Sequence, residues 1–178
     1  PDLADLPPNA SVKKVVFVDD NASSGGDGTS WATAFKHLQD ALSIAKSSDE
    51  IWVAEGIYKP DQGVGKTAGD RTATFNLVNG VNLLGGYKGH ETSSRPLGDS
   101  NNTILSGEID QNSSLWSLSV LVAKNIINTK VEGFRITKGK ANGDRSNPEY
   151  YKGGGLLLLN SNLVSFENCI FINNHALE

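Results

Sequence analysis

Residues 121–141 (LVAKNIINTKVEGFRITKGKA) and residues 156–176 (LLLLNSNLVSFENCIFINNHA) align without a gap at an offset of 35 positions. Leu121 falls on Leu156, Asn125 on Asn160, Val131 on Phe166, Glu132 on Glu167, Phe134 on Cys169 and Ile136 on Phe171. Much of the spacing is a polar excursion at residues 142–154. Without it the unit shrinks to roughly 22 residues, within the range of stacked β-solenoid repeats. Each copy has two short apolar runs split by Asn-containing turns. Val131-Glu132-Gly133-Phe134-Arg135-Ile136-Thr137 alternates as a half-buried strand does.

Such a unit is too short to bury its own apolar side chains. Stacking gives each strand a neighbour at roughly 4.8 Å and lines the interior with a continuous core. Asn at the corners tolerates left-handed backbone. Asn125 and Asn160 share a register, so they are placed to form a ladder between coils.

Composition agrees. The chain has 178 residues, enough for one domain with a substantial core. Only 20% are charged and 19 are Gly, which suits a turn-rich β fold. Net charge is −4, with Lys and Arg scattered, so there is no nucleic-acid footprint. No apolar run approaches the roughly 18 residues of a membrane span; the longest, 156–159, reads as a buried strand. The single cysteine, Cys169, permits no intrachain disulfide and sits where the other copy has Phe134, as a core thiol would. The chain starts at Pro1, lacks Met and ends Leu177-Glu178 in the manner of a cloning scar. It reads as an excised stretch that stops in mid-solenoid, and the missing signal peptide says nothing about location.

Along the chain, residues 1–13 read as a linker or flexible arm, and residues 14–178 as one solenoid unit. Val15-Val16-Phe17-Val18 is a strand. The loop after it carries Asp19, Asp20 and Asp27 among Gly and Ser. These carboxylates could supply hard oxygen ligands to Ca²⁺. No Glu closes the loop at EF-hand spacing, so a turn whose Asp and Ser side chains bond backbone N–H groups is the favoured reading. Residues 34–46 are the one convincing helix, with Phe35, Leu38, Ala41, Leu42 and Ala45 on an apolar face; His37 is placed on the helix face. Such a helix would cover the interior and strand edges that a first coil exposes, with Trp31 and Trp52 expected in the core of that cap. Further strands are expected at 51–54, 74–78, 81–84 and 103–105. Gly63-Val64-Gly65-Lys66-Thr67 lacks the first Gly of a phosphate-binding loop, and His90, Glu91 and Asp99 fit no metal-site spacing. The excursion carries Arg145, Tyr150 and Tyr151. Tyr beside Arg is what a sugar or protein contact would use, and an ordinary loop along the solenoid wall fits equally well.

The repeats resemble right-handed parallel β-helix repeats of the pectate-lyase-like superfamily. Gly153-Gly154-Gly155-Leu156 and Phe171-Ile172-Asn173-Asn174 resemble the GGA(I/L/V) and FxxN motifs of polymorphic outer membrane proteins, a group of bacterial surface adhesins; Gly155 stands where Ala is usual. Gly28-Thr29-Ser30-Trp31 with the helix, the following Ile51–Tyr58 run and residues 79–95 are similar to the N-terminal caps of bacterial surface β-helix proteins. The resemblance implies an all-β right-handed parallel β-helix with an N-terminal capping α-helix, cut short at its C-terminal end. It also implies an extracellular or outer-membrane surface location. The partner would be a surface protein or polysaccharide of a host or neighbouring cell, held by a monomer in adhesion or extracellular binding.

The superfamily implies a second reading, part of a polysaccharide lyase or glycoside hydrolase, which needs acids or a Lys/Arg base converging on one sugar. Outward positions of the repeats offer Lys130, Glu132, Arg135 and Glu167, with Glu132 and Glu167 stacked in register as candidate ligand contacts. A third reading is an autonomous carbohydrate-binding module, which would require exposed aromatics. No cofactor is firmly implied beyond the Ca²⁺ that the Asp loop could take.

Overall fold

The computed structural model describes residues 13–93, 102–109 and 115–177. Most of the 1–13 arm and Asp99 lie outside the described residues. The chain runs through β1 (Val15–Val18), α1 (Leu38–Ile44), β2 (Glu50–Ala54), β3 (Gly56–Tyr58), β4 (Phe75–Asn76), β5 (Asn82–Tyr87) and β6 (Thr103–Ser106). It continues through β7 (Leu121–Lys124), β8 (Ile127–Glu132), β9 (Arg135–Thr137), β10 (Lys140–Ala141), α2 (Pro148–Tyr151), β11 (Leu156–Leu159), β12 (Asn162–Glu167), β13 (Ile170–Ile172) and β14 (His175–Ala176).

These strands form a parallel β-solenoid of about four turns. The first sheet has the order β1-β2-β5-β8-β12, the second β13-β9-β6-β3 and the third β11-β7-β4; β10 and β14 pair beside them. Every named strand pairing is parallel. The sequence repeat is the register of the last coil on the one before. Leu121 pairs with Leu156, Val131 with Phe166, Ile136 with Phe171 and Ala141 with Ala176.

The corners repeat with the strands. Asn125 (φ 57°) and Asn160 (φ 48°) are both left-handed, as are Asn128 and Leu163, Gly133 and Asn168, and Lys138 and Asn173. Each pair is one coil apart, so the chain changes direction at the same place in both. Five of these eight corners are Asn, the residue other than Gly that tolerates this backbone best.

Inward positions build aliphatic columns. Val16, Ile51, Leu83 and Val131 pair in sequence along the first sheet and are 7% exposed or less. Phe166 continues that column, half-buried. Tyr58, Leu105 and Ile136 do the same on the second sheet, and Phe75 with Leu121 on the third.

The helix is shorter than its apolar pattern. Residues 31–33 form a 3-10 turn capped by Ser30, and the chain then runs extended to His37. Phe35 bridges Val18 in parallel, and its N–H and C=O bond Phe17 O and Asp19 N. Backbone pairing to β1 therefore wins over continuing the helix. His37 is the residue before α1 rather than on its face, and its side chain makes no capping bond. Leu38, Ala41 and Leu42 are buried, and α1 packs on β1, β2 and β4.

The Gly and FxxN motifs meet in space. Asn174 accepts from Gly139 N–H (2.9 Å) and donates to Ile136 C=O (2.9 Å), one coil back. A Cβ on Gly155 would lie 2.7 Å from Asn174 Nδ2, and one on Gly154 would lie 2.1 Å from His175 O. The glycines make room for an asparagine that ties two coils together.

Candidate functional site

The outer face of the first sheet carries the richest side-chain array. Strand alternation turns Val16, Val18, Ile51 and Val53 inward, and so turns Phe17 and Trp52 outward. Trp31 and Trp52 are thus half-buried over this face and are not in the core, contrary to the expectation from hydrophobicity. The alternation Val-Phe-Val and Ile-Trp-Val is the signal that finds Phe17 and Trp52. Phe17 and Trp31 meet edge-on at 4.9 Å, and Trp52 stacks on buried Tyr87 at 4.7 Å with a 12° tilt. Trp31 Nε1 donates to Glu91 O and Trp52 Nε1 to Glu50 Oε2, so both indole donors are used.

One outward column runs Phe17, Trp52, Leu84, Glu132, Glu167, each residue in register with the next. Beside it run Glu50, Asn82, Lys130 and Ser165, where Lys130 N–H donates to Asn82 Oδ1. Five strands at ladder spacing extend this track over about 19 Å.

Glu132 and Glu167 are brought together as expected, and Lys130 joins them. Its ammonium is 2.8 Å from Glu132 Oε2 and 3.9 Å from Glu167 Oε2. Glu132 is buried and Glu167 exposed. The hydrogen bond to Glu132 raises the Lys130 pKa above that of a free lysine. The ammonium thus anchors positive charge between the two carboxylates.

Arg145, Tyr150 and Tyr151 lie elsewhere. α2 holds both tyrosines, half-buried, with Asn147 accepting from Glu149 N–H at its start and Glu149 ion-paired to Lys124. Tyr150 lines a cleft of about 50 Å³ with Thr74, Val122 and Leu157, on the third-sheet side. Arg145 is exposed in the turn before α2. The five candidate contacts thus split between two sites.

The Asp loop is used locally. Asp27 accepts from the Thr33 hydroxyl and from Thr29 N–H and Oγ1, which holds its carboxyl at about 2. Asp19 accepts from Asn21 N–H and Asp20 from Ile57 N–H. Among the described residues no group of three or more His, Cys, Asp or Glu side chains is arranged to hold a metal ion. Glu91 accepts from Lys88, Gly89 and His90 N–H groups, the work of a loop acid. Cys169 is half-buried against the core, its Sγ 3.6 Å from Val131 O.

Among the described residues no helix is long and apolar enough to cross a membrane. No family profile matches this chain, and no curated protein matches it. Among solved structures it is similar to pectin methylesterase PemA from Erwinia chrysanthemi, at 14% identity and a TM-score of 0.45, over 90% of this chain and 46% of that one.

Proposed function

We propose that this chain is a non-catalytic, surface-displayed stretch of a β-solenoid protein that acts in adhesion or extracellular binding by holding a polysaccharide strand along the outer face of its first sheet. The observation that carries this is the in-register outward column Phe17–Trp52–Leu84–Glu132–Glu167. A sugar chain presents apolar C–H faces and hydroxyls together. Aromatic rings at one end of the column and carboxylate, amide and ammonium groups at the other fit both. Lys130 between two acids supports binding over proton transfer.

The segment at residues 28–37 with α1 is proposed as the cap of the stack. Its support is the bonding of Phe35 to the outer edge of β1 and the burial of Leu38, Ala41 and Leu42. The winding is proposed as right-handed, the hand that about 98% of parallel crossovers take. α2 with Arg145 is proposed as a separate contact on another side.

A glycan array with the chain, followed by titration of any ligand found, tests this. Trp52→Ala is expected to weaken binding about tenfold or more, near 1.4 kcal/mol. Glu167→Gln is expected to weaken it less, because that group is exposed. Binding unchanged by Trp52→Ala removes the first sheet as the site. Cleavage of a bound polysaccharide would move the reading to the enzyme alternative, and capture of proteins alone would move it to protein adhesion.

A further inference from the structure

A second site sits at the end of the second sheet, apart from the outward column. β3 is the last strand there, and the chain segment entering α1 lies across it. Between them is a cavity of about 160 Å³ lined by Asp20, Lys36, His37, Ile57, Lys59 and Gln62, among others. That is the liquid volume of about five water molecules.

Two half-buried lysines share its lining. Lys13, Lys88, Lys124, Lys130 and Lys138 each pair with a glutamate. Lys36 and Lys59 are half-buried, and among the described residues neither forms a salt bridge. In a chain of net charge −4, one concave site is thus lined by two lysines without a carboxylate partner. His37, whose side chain caps nothing, and the exposed Gln62 amide add N–H donors on the same lining. Compact ammonium groups suit a phosphate-type oxyanion as point charges.

One carboxylate shares the lining. Asp20 is fixed by accepting from Ile57 N–H at 2.9 Å, and Gly56 lets it approach, since a Cβ there would lie 2.4 Å from the carboxylate. A carboxylate can accept a hydrogen bond from an oxyanion that still carries a proton, and it repels one that carries none. Monohydrogen phosphate has that proton at pH 7 and sulfate does not.

We propose that this cavity is a phosphate site, in which Lys36 and Lys59 hold the anion and Asp20 selects the protonated oxyanion over sulfate. The test is a titration of the isotope-labelled chain with inorganic phosphate, then sulfate, at constant ionic strength and pH 7, read by backbone amide shifts. Saturable shifts are expected at residues 36–38 and 57–59. Lys36→Gln/Lys59→Gln is expected to lower phosphate affinity about tenfold or more, and Lys36→Arg/Lys59→Arg to retain it within about threefold. Lys14→Gln/Lys46→Gln, which removes two exposed lysines away from the cavity, is expected to leave it unchanged. Sulfate is expected to bind about tenfold more weakly, and Asp20→Asn to narrow that gap. The absence of saturable shifts overturns the proposal. So does affinity that survives Lys36→Gln/Lys59→Gln, or that falls equally in Lys14→Gln/Lys46→Gln, or sulfate binding as tightly as phosphate.

Discussion

Phe134→Ala is expected to destabilise the chain by about 3–5 kcal/mol, the cost of emptying a fully buried aromatic site. The ring is 0% exposed and interlocks with a glycine one coil earlier. A Cβ built on Gly85 would lie 2.6 Å from Gly133 O and 2.9 Å from the Phe134 ring. The ring fills the space that Gly85 leaves, so little can move in to close the cavity. Phe134 C=O also accepts from Ile170 N–H on the next coil at 2.8 Å. In a chain of this size the loss should lower the thermal midpoint by about 6–20 °C. Cys169 holds the same repeat position one coil later and is only half-buried. Cys169→Ala should therefore cost far less, about 1 kcal/mol. Equal costs in urea denaturation would show that the two positions do not differ in depth as described.

The second large effect comes from backbone rather than side chain. Gly139→Ala is expected to cost about 3 kcal/mol or more. Its Cβ would lie 1.7 Å from Gly154 O, a backbone atom that accepts from Val120 N–H at 3.0 Å. Gly139 cannot retreat, because its N–H is held by Asn174 and its C=O by His175 N–H. Adding one methyl group thus strains three segments on neighbouring coils. Gly65→Ala makes the contrast: φ is +68° but nothing lies within 4 Å of the new Cβ. That change carries only the left-handed penalty, about 1–2 kcal/mol. If both changes cost the same, close packing of backbone between coils is not what fixes Gly139.

The last two coils were legible in the sequence because their loops happen to match in length. Asn125 and Asn160, or Glu132 and Glu167, stand 35 residues apart in the alignment and face each other across the ladder. Earlier coils hide the same register. Glu50 pairs with Asn82 and Leu83 with Val131, so loops of unequal length erase any fixed period. β3 carries no sequence signal, because Gly56-Ile57-Tyr58 is too short to show alternation and its pairing with β6 is a tertiary fact.

The residues of the two proposed sites divide the same way. Glu132 and Glu167 are legible as neighbours because they sit inside the repeat. Trp52 reads from its bulk as a core residue, and only strand phase turns it outward beside Phe17. Lys36 and Lys59 carry no local signal. They belong to different segments that the fold brings to one cavity. The FxxN resemblance marks Asn174, and its bonds to Gly139 and Ile136 give the physical reason for it.

The outward column reaches Glu167 only if the last coil lies parallel and in register on the one before. Oxidative cross-linking tests that directly. Ile127 and Asn162 are both exposed and are register partners. In a Cys169→Ser background, Ile127→Cys/Asn162→Cys places two thiols on neighbouring parallel strands, within disulfide reach. Rapid intrachain bond formation in the folded chain is expected for this pair. Ile127→Cys/Ser165→Cys, three positions out of register, is expected to stay reduced. Cross-linking of the shifted pair with none in the register pair would contradict the stacking, and with it the outward column on which the binding proposal rests.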